Sequence, residues 1–280
     1  MNAPRHAVSV FGMSGVGKTR LSALLRKNDW FHYSLDYRIG TRYMGEHIVD
    51  NFKYQAMKVP FLRDLLRSDS IFISSNITFS NLDPLSTYLG APGDPKRGGL
   101  GLKEYQRRQE LHRTAEIAAL LDIPYFLNRA KTLYGYDDFI ADTGGSLIEV
   151  IKLDDPSDPV VESLTANTVL LYIKGTDDDA HALIKRYEKA PKPMYYRPDL
   201  LVKKWAEFKR LHHIENDHDV DPARFAVWGY QAILQDRLPR YQTLADRHGY
   251  VINAADLCEV RDGKDFLALM QKAFSQRRAD

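Results

Sequence analysis

The residues most able to do chemistry lie near the start of the chain. Gly12-Met13-Ser14-Gly15-Val16-Gly17-Lys18-Thr19 has the spacing G-x-x-x-x-G-K-[ST]. Glycines at these places let successive backbone N–H groups point inward, around a phosphate. Lys18 can reach the β- and γ-phosphates of a nucleoside triphosphate. The Thr19 hydroxyl can hold Mg²⁺, and a helix beginning here adds partial positive charge. Such a nest binds a nucleotide but does not name the reaction, because kinases, GTPases, motor ATPases and regulators all use it.

Two carboxylates could supply what the nest lacks. Asp36 closes the apolar run "WFHYSLD", and Asp142 closes "DDFIAD". A carboxylate at the C-terminal end of a parallel strand faces the crevice where ligands bind. Asp142 could hold Mg²⁺ through water or supply a base. Each also fits a plain turn or helix cap. Gly144 and Gly145 follow Asp142 and permit close backbone approach.

These residues need elements to position them. Residues 6–11 read as a buried strand, and 17–27 as a helix with Leu21, Leu24 and Leu25 on one face. A second strand is expected over 30–36 and helix over 46–67, broken at Pro60. Residues 70–79 fit a strand or an extended loop equally. The Gly- and Pro-rich stretch 83–101 reads as a mobile loop. Helices are expected over 102–121 and 124–133, then the strand ending in the "TGGS" turn, then the strong buried strand 168–175. Helices at 178–188, 199–211 and 222–246 follow, with the proline-broken "KAPKPMYYRPDLL" irregular between the first two. The strand "GYVINA" and a helix over 263–277 end the chain. Strands alternating with helices predict a parallel sheet covered on both faces.

Composition narrows the class. Lys and Arg number 39 against 37 Asp and Glu, a net charge of +2. That balance argues against nucleic acid or an anionic membrane as the partner. The lone Cys258 fits a reducing, cytoplasmic setting. No apolar run approaches the ~20 residues that span a bilayer, and the short apolar run after the basic start reads as the first strand, not a signal peptide. "HHIENDHDVD", 212–221, alternates acids like a calcium loop, but Pro222 and Trp228 stand where that loop needs Gly and Glu, so it reads as a solvated loop.

Several segments, in order, resemble shikimate kinase and more broadly the small P-loop kinases. After the second strand, "LDYRIGTRYMG" carries Asp36, Ile39, Arg42 and Gly45 at similar spacing. The resemblance makes Asp36 the contact to the substrate hydroxyl and the candidate base. A second Asp, usual two residues earlier, is replaced here by Ser34, and Asp142 could compensate. "QRRQE", 106–110, is similar to an Arg-Arg-x-Glu segment, which makes Arg107 a grip on a substrate carboxylate and Glu110 its orienting partner. Read alone, that segment is a solvated helix face. "ADTGGS" resembles the turn against the substrate ring, with Gly144 and Gly145. Arg197-Pro198 looks like the lid pair whose Arg covers the transferring phosphate. "DRLPRYQ" is similar to the Arg-x-Pro-x-Tyr segment, making Arg237 a second anion contact and Arg240 an added cation.

The resemblance implies an α/β fold: a P-loop NTPase three-layer α/β/α sandwich with a parallel sheet, like shikimate and nucleoside monophosphate kinases, plus helical insertions. It implies a single domain over 1–280, with an insertion over 46–135 around the acceptor site and a lid over 185–215. ATP and Mg²⁺ are the expected cofactors. The expected activity is phosphoryl transfer to a small, hydroxylated, anionic metabolite other than shikimate, by a monomer or homodimer. An ATP-binding ATPase or switch with a protein partner is the alternative.

Overall fold

Five parallel strands form one sheet in the order β2-β3-β1-β4-β5: β1 His6–Phe11, β2 Trp30–Ser34, β3 Asp138–Asp142, β4 Val169–Lys174 and β5 Gly249–Asn253. A computed structural model describes residues 6–277. The basic start ahead of the first strand lies outside them. The three central strands, β3, β1 and β4, are buried on both faces, as parallel strands should be. Val8, Val10, Phe139, Ile140, Leu171 and Ile173 are fully buried. In register, Val10 lies beside Asp142 on one side and Leu171 on the other. The C-terminal end of β1 therefore opens between two neighbours, and the nest follows it directly.

The P-loop helix, Lys18–Arg26, buries Leu21 and Leu25 at i,i+4. The helix Asp177–Lys189 starts on a capping box in which Thr176 and Asp179 satisfy each other's backbone. Two longer helices build the far wall of the cleft. One is Leu102–Leu121, and the other is Pro222–His248, which Asp221 caps through the backbone N–H groups of Ala223 and Arg224 at 2.9 and 3.2 Å. Pro239 interrupts the second of these in the turn that carries Arg237, Arg240 and Tyr241.

The structure differs from the sequence expectation in three places and decides between two alternatives in a fourth. β2 stops at Ser34, whose hydroxyl accepts from the Tyr37 N–H at 3.4 Å and starts a short helix, Leu35–Arg38. Asp36 thus sits on a helical turn, followed by π-helical Ile39–Tyr43. Residues 71–77 form no strand, so of the two alternatives the loop holds, and the isolated bridge Thr78–Asn81 follows it. The stretch 83–101 is not a mobile loop. Asp83–Leu89 is helical, because Leu85, Tyr88 and Leu89 make a buried i,i+3,i+4 stripe. The rest is tied down by Gly93 N–H to Leu100 O at 2.9 Å and Asp94 N–H to Val220 O at 2.8 Å. Finally, Leu147–Val150 and Pro159–Asn167 are helices that no sequence signal was assigned to.

Most of the core packs against the sheet. A smaller cluster, with Tyr105, Tyr196, Trp205, Phe208 and Phe225, lies under the residues around 194–208. No helix among the described residues is long and apolar enough to cross a membrane.

Candidate active site

The backbone of the nest has a shape that only glycine tolerates. Gly12 has φ +140°, and a side chain there would begin 2.6 Å from the Ile173 carbonyl. Gly15 has φ +82°, and its face lies 2.8 Å from an Arg186 guanidinium nitrogen. A cavity of about 250 Å³ opens over the nest. Gly15, Gly17, Lys18 and Thr19 line it together with Asp36, Asp142, Gly144 and Gly145.

Lys18 is buried and folded back, donating to the carbonyls of Gly12 at 2.9 Å and Met13 at 2.8 Å. Burial pulls its pKa down, and the nearby Asp142 and Asp36 oppose that pull. Thr19 Oγ1 donates to Asp142 Oδ2 at 2.8 Å, and the other Asp142 oxygen accepts from Gly144 N–H at 3.2 Å. Asp36 lies against the turn, with an oxygen 3.3 Å from where a Gly144 side chain would begin. Its carboxylate has no hydrogen-bond partner among the described residues. Burial first, and then the charge of Asp142, push its pKa up to about 6 against the pull of Lys18. These are the sequence-predicted residues that the fold gathers in one place.

Gly145 joins this site to a second group. A side chain on it would begin 3.7 Å from Ser14 N and 3.9 Å from an Arg237 guanidinium nitrogen. Arg237 is buried; it donates through Nε to Glu149 at 2.7 Å and through Nη2 to the Tyr195 carbonyl at 2.8 Å. Arg240 is shared between Asp236 at 3.3 Å and Glu149 at 3.6 Å. Arg237 therefore reaches the cleft, but as half of a buried ion pair.

Two expected cations are placed elsewhere. Arg107 points away from the cleft, into a polar groove lined by His47, Tyr54 and Lys58. Its guanidinium clasps Glu104 at 2.8 and 2.9 Å, not Glu110, which pairs with Arg113 at 3.5 Å. Helical geometry explains the miss. Nine residues turn a helix through about 900°, so Arg107 and Glu116 face opposite ways. Arg197 is held by Asp199 at 2.7 Å and Asp236 at 3.3 Å, and its neighbour Tyr196 is pinned by N–H donation to Gln109 at 2.8 Å. The cation whose contact with the nest is seen is Arg186.

The cleft-facing side of helix Leu102–Leu121 carries residues the sequence reading did not select. Glu116 is fully buried, and one of its oxygens accepts from Ser146 Oγ at 2.7 Å. His112 Nδ1 lies 3.6 Å from the other, and its ring stacks on Tyr195 with centroids 5.0 Å apart. Burial pushes Glu116 up to about 8 and His112 down to about 4. The signal was present: Tyr105, Gln109, His112 and Glu116 recur at 4-3-4 spacing on the buried face. Glu149 and Arg186 carried no comparable signal.

Beside the nest, a groove of about 800 Å³ runs between the P-loop helix and the loop after β5, past Gly15, Leu24, Ala254 and Leu257. Strand order and nest together decide the architecture. The chain has a P-loop kinase-like α/β fold. No family model matches the sequence, and no curated protein matches it. Among solved structures it is similar to a shikimate kinase from Bacteroides thetaiotaomicron, with 14% identity, covering 84% of this chain and 98% of that one, at a TM-score of 0.29. The roles assigned to residues below rest on this chain's own geometry.

Proposed function

We propose that the protein is an ATP-dependent kinase that phosphorylates a small hydroxylated metabolite. The observation that carries this is one cavity lined by Lys18, Thr19 and Asp36, with the Asp36 carboxylate against the Gly144-Gly145 turn. A plain ATPase has no need of a half-buried carboxylate without a partner opposite its nest. A kinase needs one, aimed at an acceptor hydroxyl.

The residues divide the work. Backbone N–H groups from Ser14 to Lys18 cradle the phosphates, and Lys18 exchanges its loop carbonyls for a phosphate oxygen. The apolar groove past Leu24 and Leu257 receives the nucleoside. Thr19 and Asp142 are hard oxygen donors on one side of the nest and suit Mg²⁺, which would neutralise charge on the phosphate oxygens. Asp36 takes the acceptor's proton as its oxygen bonds to the γ-phosphorus. The bond from that phosphorus to the bridging oxygen breaks, and ADP leaves with the electron pair. With a pKa near 6, Asp36 is ionised at neutral pH and basic enough to help. Arg186 lies over Gly15, where phosphate charge would gather.

The test is ADP release across a panel of hydroxyl compounds, with Lys18→Ala as control. Acceptor-stimulated release that falls about 10³-fold in Lys18→Ala is expected. Normal turnover by that variant would remove the nest from the mechanism. One feature favours a second reading, a switch that docks a protein. The helix Pro60–Arg67 buries none of its residues, leaving Phe61 71% exposed, and Phe72 beyond it is 88% exposed. Hydrolysis stimulated by a stoichiometric protein partner, and by no hydroxyl compound, would favour it.

A further inference from the structure

Hydrogen-bond accounting on the far side of Gly145 says what the acceptor carries. Buried polar atoms in folded proteins nearly always find partners, because an unpaired one costs about 1–3 kcal/mol. Here four atoms within one cluster make no hydrogen bond: His112 Nδ1, Glu116 Oε2, the Tyr195 hydroxyl and Glu149 Oε2, whose nearest cation, on Arg240, stands 3.6 Å off. Their side chains are at least nine-tenths buried and in mutual contact. His112 stacks on Tyr195, His112 meets Glu116 at 3.6 Å, and the Arg237 that bonds Glu149 also bonds the Tyr195 backbone. The Asp36 carboxylate, also without a partner, stands at the mouth, close enough for its charge to act on Glu116.

The inventory is lopsided. The carboxylate oxygens only accept when ionised, and the hydroxyl of Tyr195 can do either. The cations that an acid would seek are already engaged. Arg237 and Arg240 sit on Glu149 and Asp236, Arg197 on Asp199 and Asp236, and Arg107 on Glu104 outside the cleft. A carboxylate entering here would add its charge to those of Asp36, Asp142 and Glu149. A hydroxyl, which gives and takes a hydrogen bond, satisfies Glu116 with or without its proton. An ammonium group satisfies the ionised form.

Resting on the kinase reading above, we propose that the acceptor is a donor-rich polyol or amino alcohol, its far end bound by Glu116, Glu149, His112 and Tyr195, rather than a hydroxy acid. This departs from the anionic acceptor that the family resemblance implies.

The experiment measures ADP release with ATP, Mg²⁺ and size-matched compounds in three arms: neutral polyols (glycerol, myo-inositol), amine-bearing ones (serinol, glucosamine) and hydroxy acids (glycerate, gluconate, quinate). A fluorescent ATP analogue is titrated in parallel. The expected result is at least tenfold more release with the best polyol or amine than with the best acid. The arm that wins separates hydroxyl from ammonium recognition. Glu116→Gln should cut that response at least tenfold, with the bound analogue reporting that the variant has folded. Preference for the acids, no response to any donor-rich compound while the analogue binds, or an undiminished response in Glu116→Gln would each overturn the proposal. Failure of the analogue to bind wild-type protein would instead overturn the kinase reading beneath it.

Discussion

The two walls of the cleft are made differently. The nest is built by eight consecutive residues, whose backbone N–H groups would do most of the proposed binding. Its chemistry survives almost any change in the surrounding side chains that keeps the glycines and the strand-turn-helix path. The opposite wall is built by side chains from residues 112–116, 146–149, 195 and 237–240. There nothing binds until distant helices have packed. The difference teaches that a backbone site tolerates divergence, whereas a side-chain site can change its ligand while the fold persists.

Five substitutions sharpen that contrast, grouped by experiment, with the largest expected effect first. Arg237→Ala leaves the buried Glu149 carboxylate with only the more distant Arg240, and should destabilise the protein by about 3–5 kcal/mol, read from urea unfolding. Arg107→Ala removes an exposed pair and should lose at most about 1 kcal/mol. Similar losses from both would mean that the far wall is not organised by its buried ion pair.

Asp36→Asn should lower acceptor-dependent turnover by about 10²-fold. The sign of its pH dependence is fixed by its role as base. Turnover in the wild type rises as pH climbs through about 6, because Asp36 must be ionised to accept the proton. The variant should lose that limb of the profile. A profile unchanged by Asn would pass the role to Asp142.

Arg186→Ala should weaken binding of a fluorescent ATP analogue about tenfold, the loss of one charge-assisted contact. Arg197→Ala should change it less than about twofold, since that guanidinium is committed to Asp199 and Asp236. The reverse order would return Arg197 to the phosphate and make the helix Asp177–Lys189 a bystander.

Much of the fold was legible because it follows local rules. Apolar runs marked the strands, the helix expected over 102–121 has its observed ends there, and Pro60 marked a true break. The reading failed where a short helix depended on burial that local sequence does not announce, as in Asp83–Leu89 and Leu147–Val150. It also failed where a residue was chosen by type and not by helix face. Arg107 was preferred as a cation, while Glu116, nine residues on, occupied the face that packing turned inward.

By itself the sequence determined the phosphate nest, because its donors are neighbours along the chain and need only three glycines, a strand before and a helix after. It also put Asp142 at the end of a buried strand, while the pairing of β1 with β3 brought that end beside the nest. Only the tertiary structure decided which arginines are free and which are already paired, and which side of the long helix meets the cleft. Those outcomes depend on side chains 30 to 130 residues apart arriving together, and their charges are neutralised or left open only when the packing is complete.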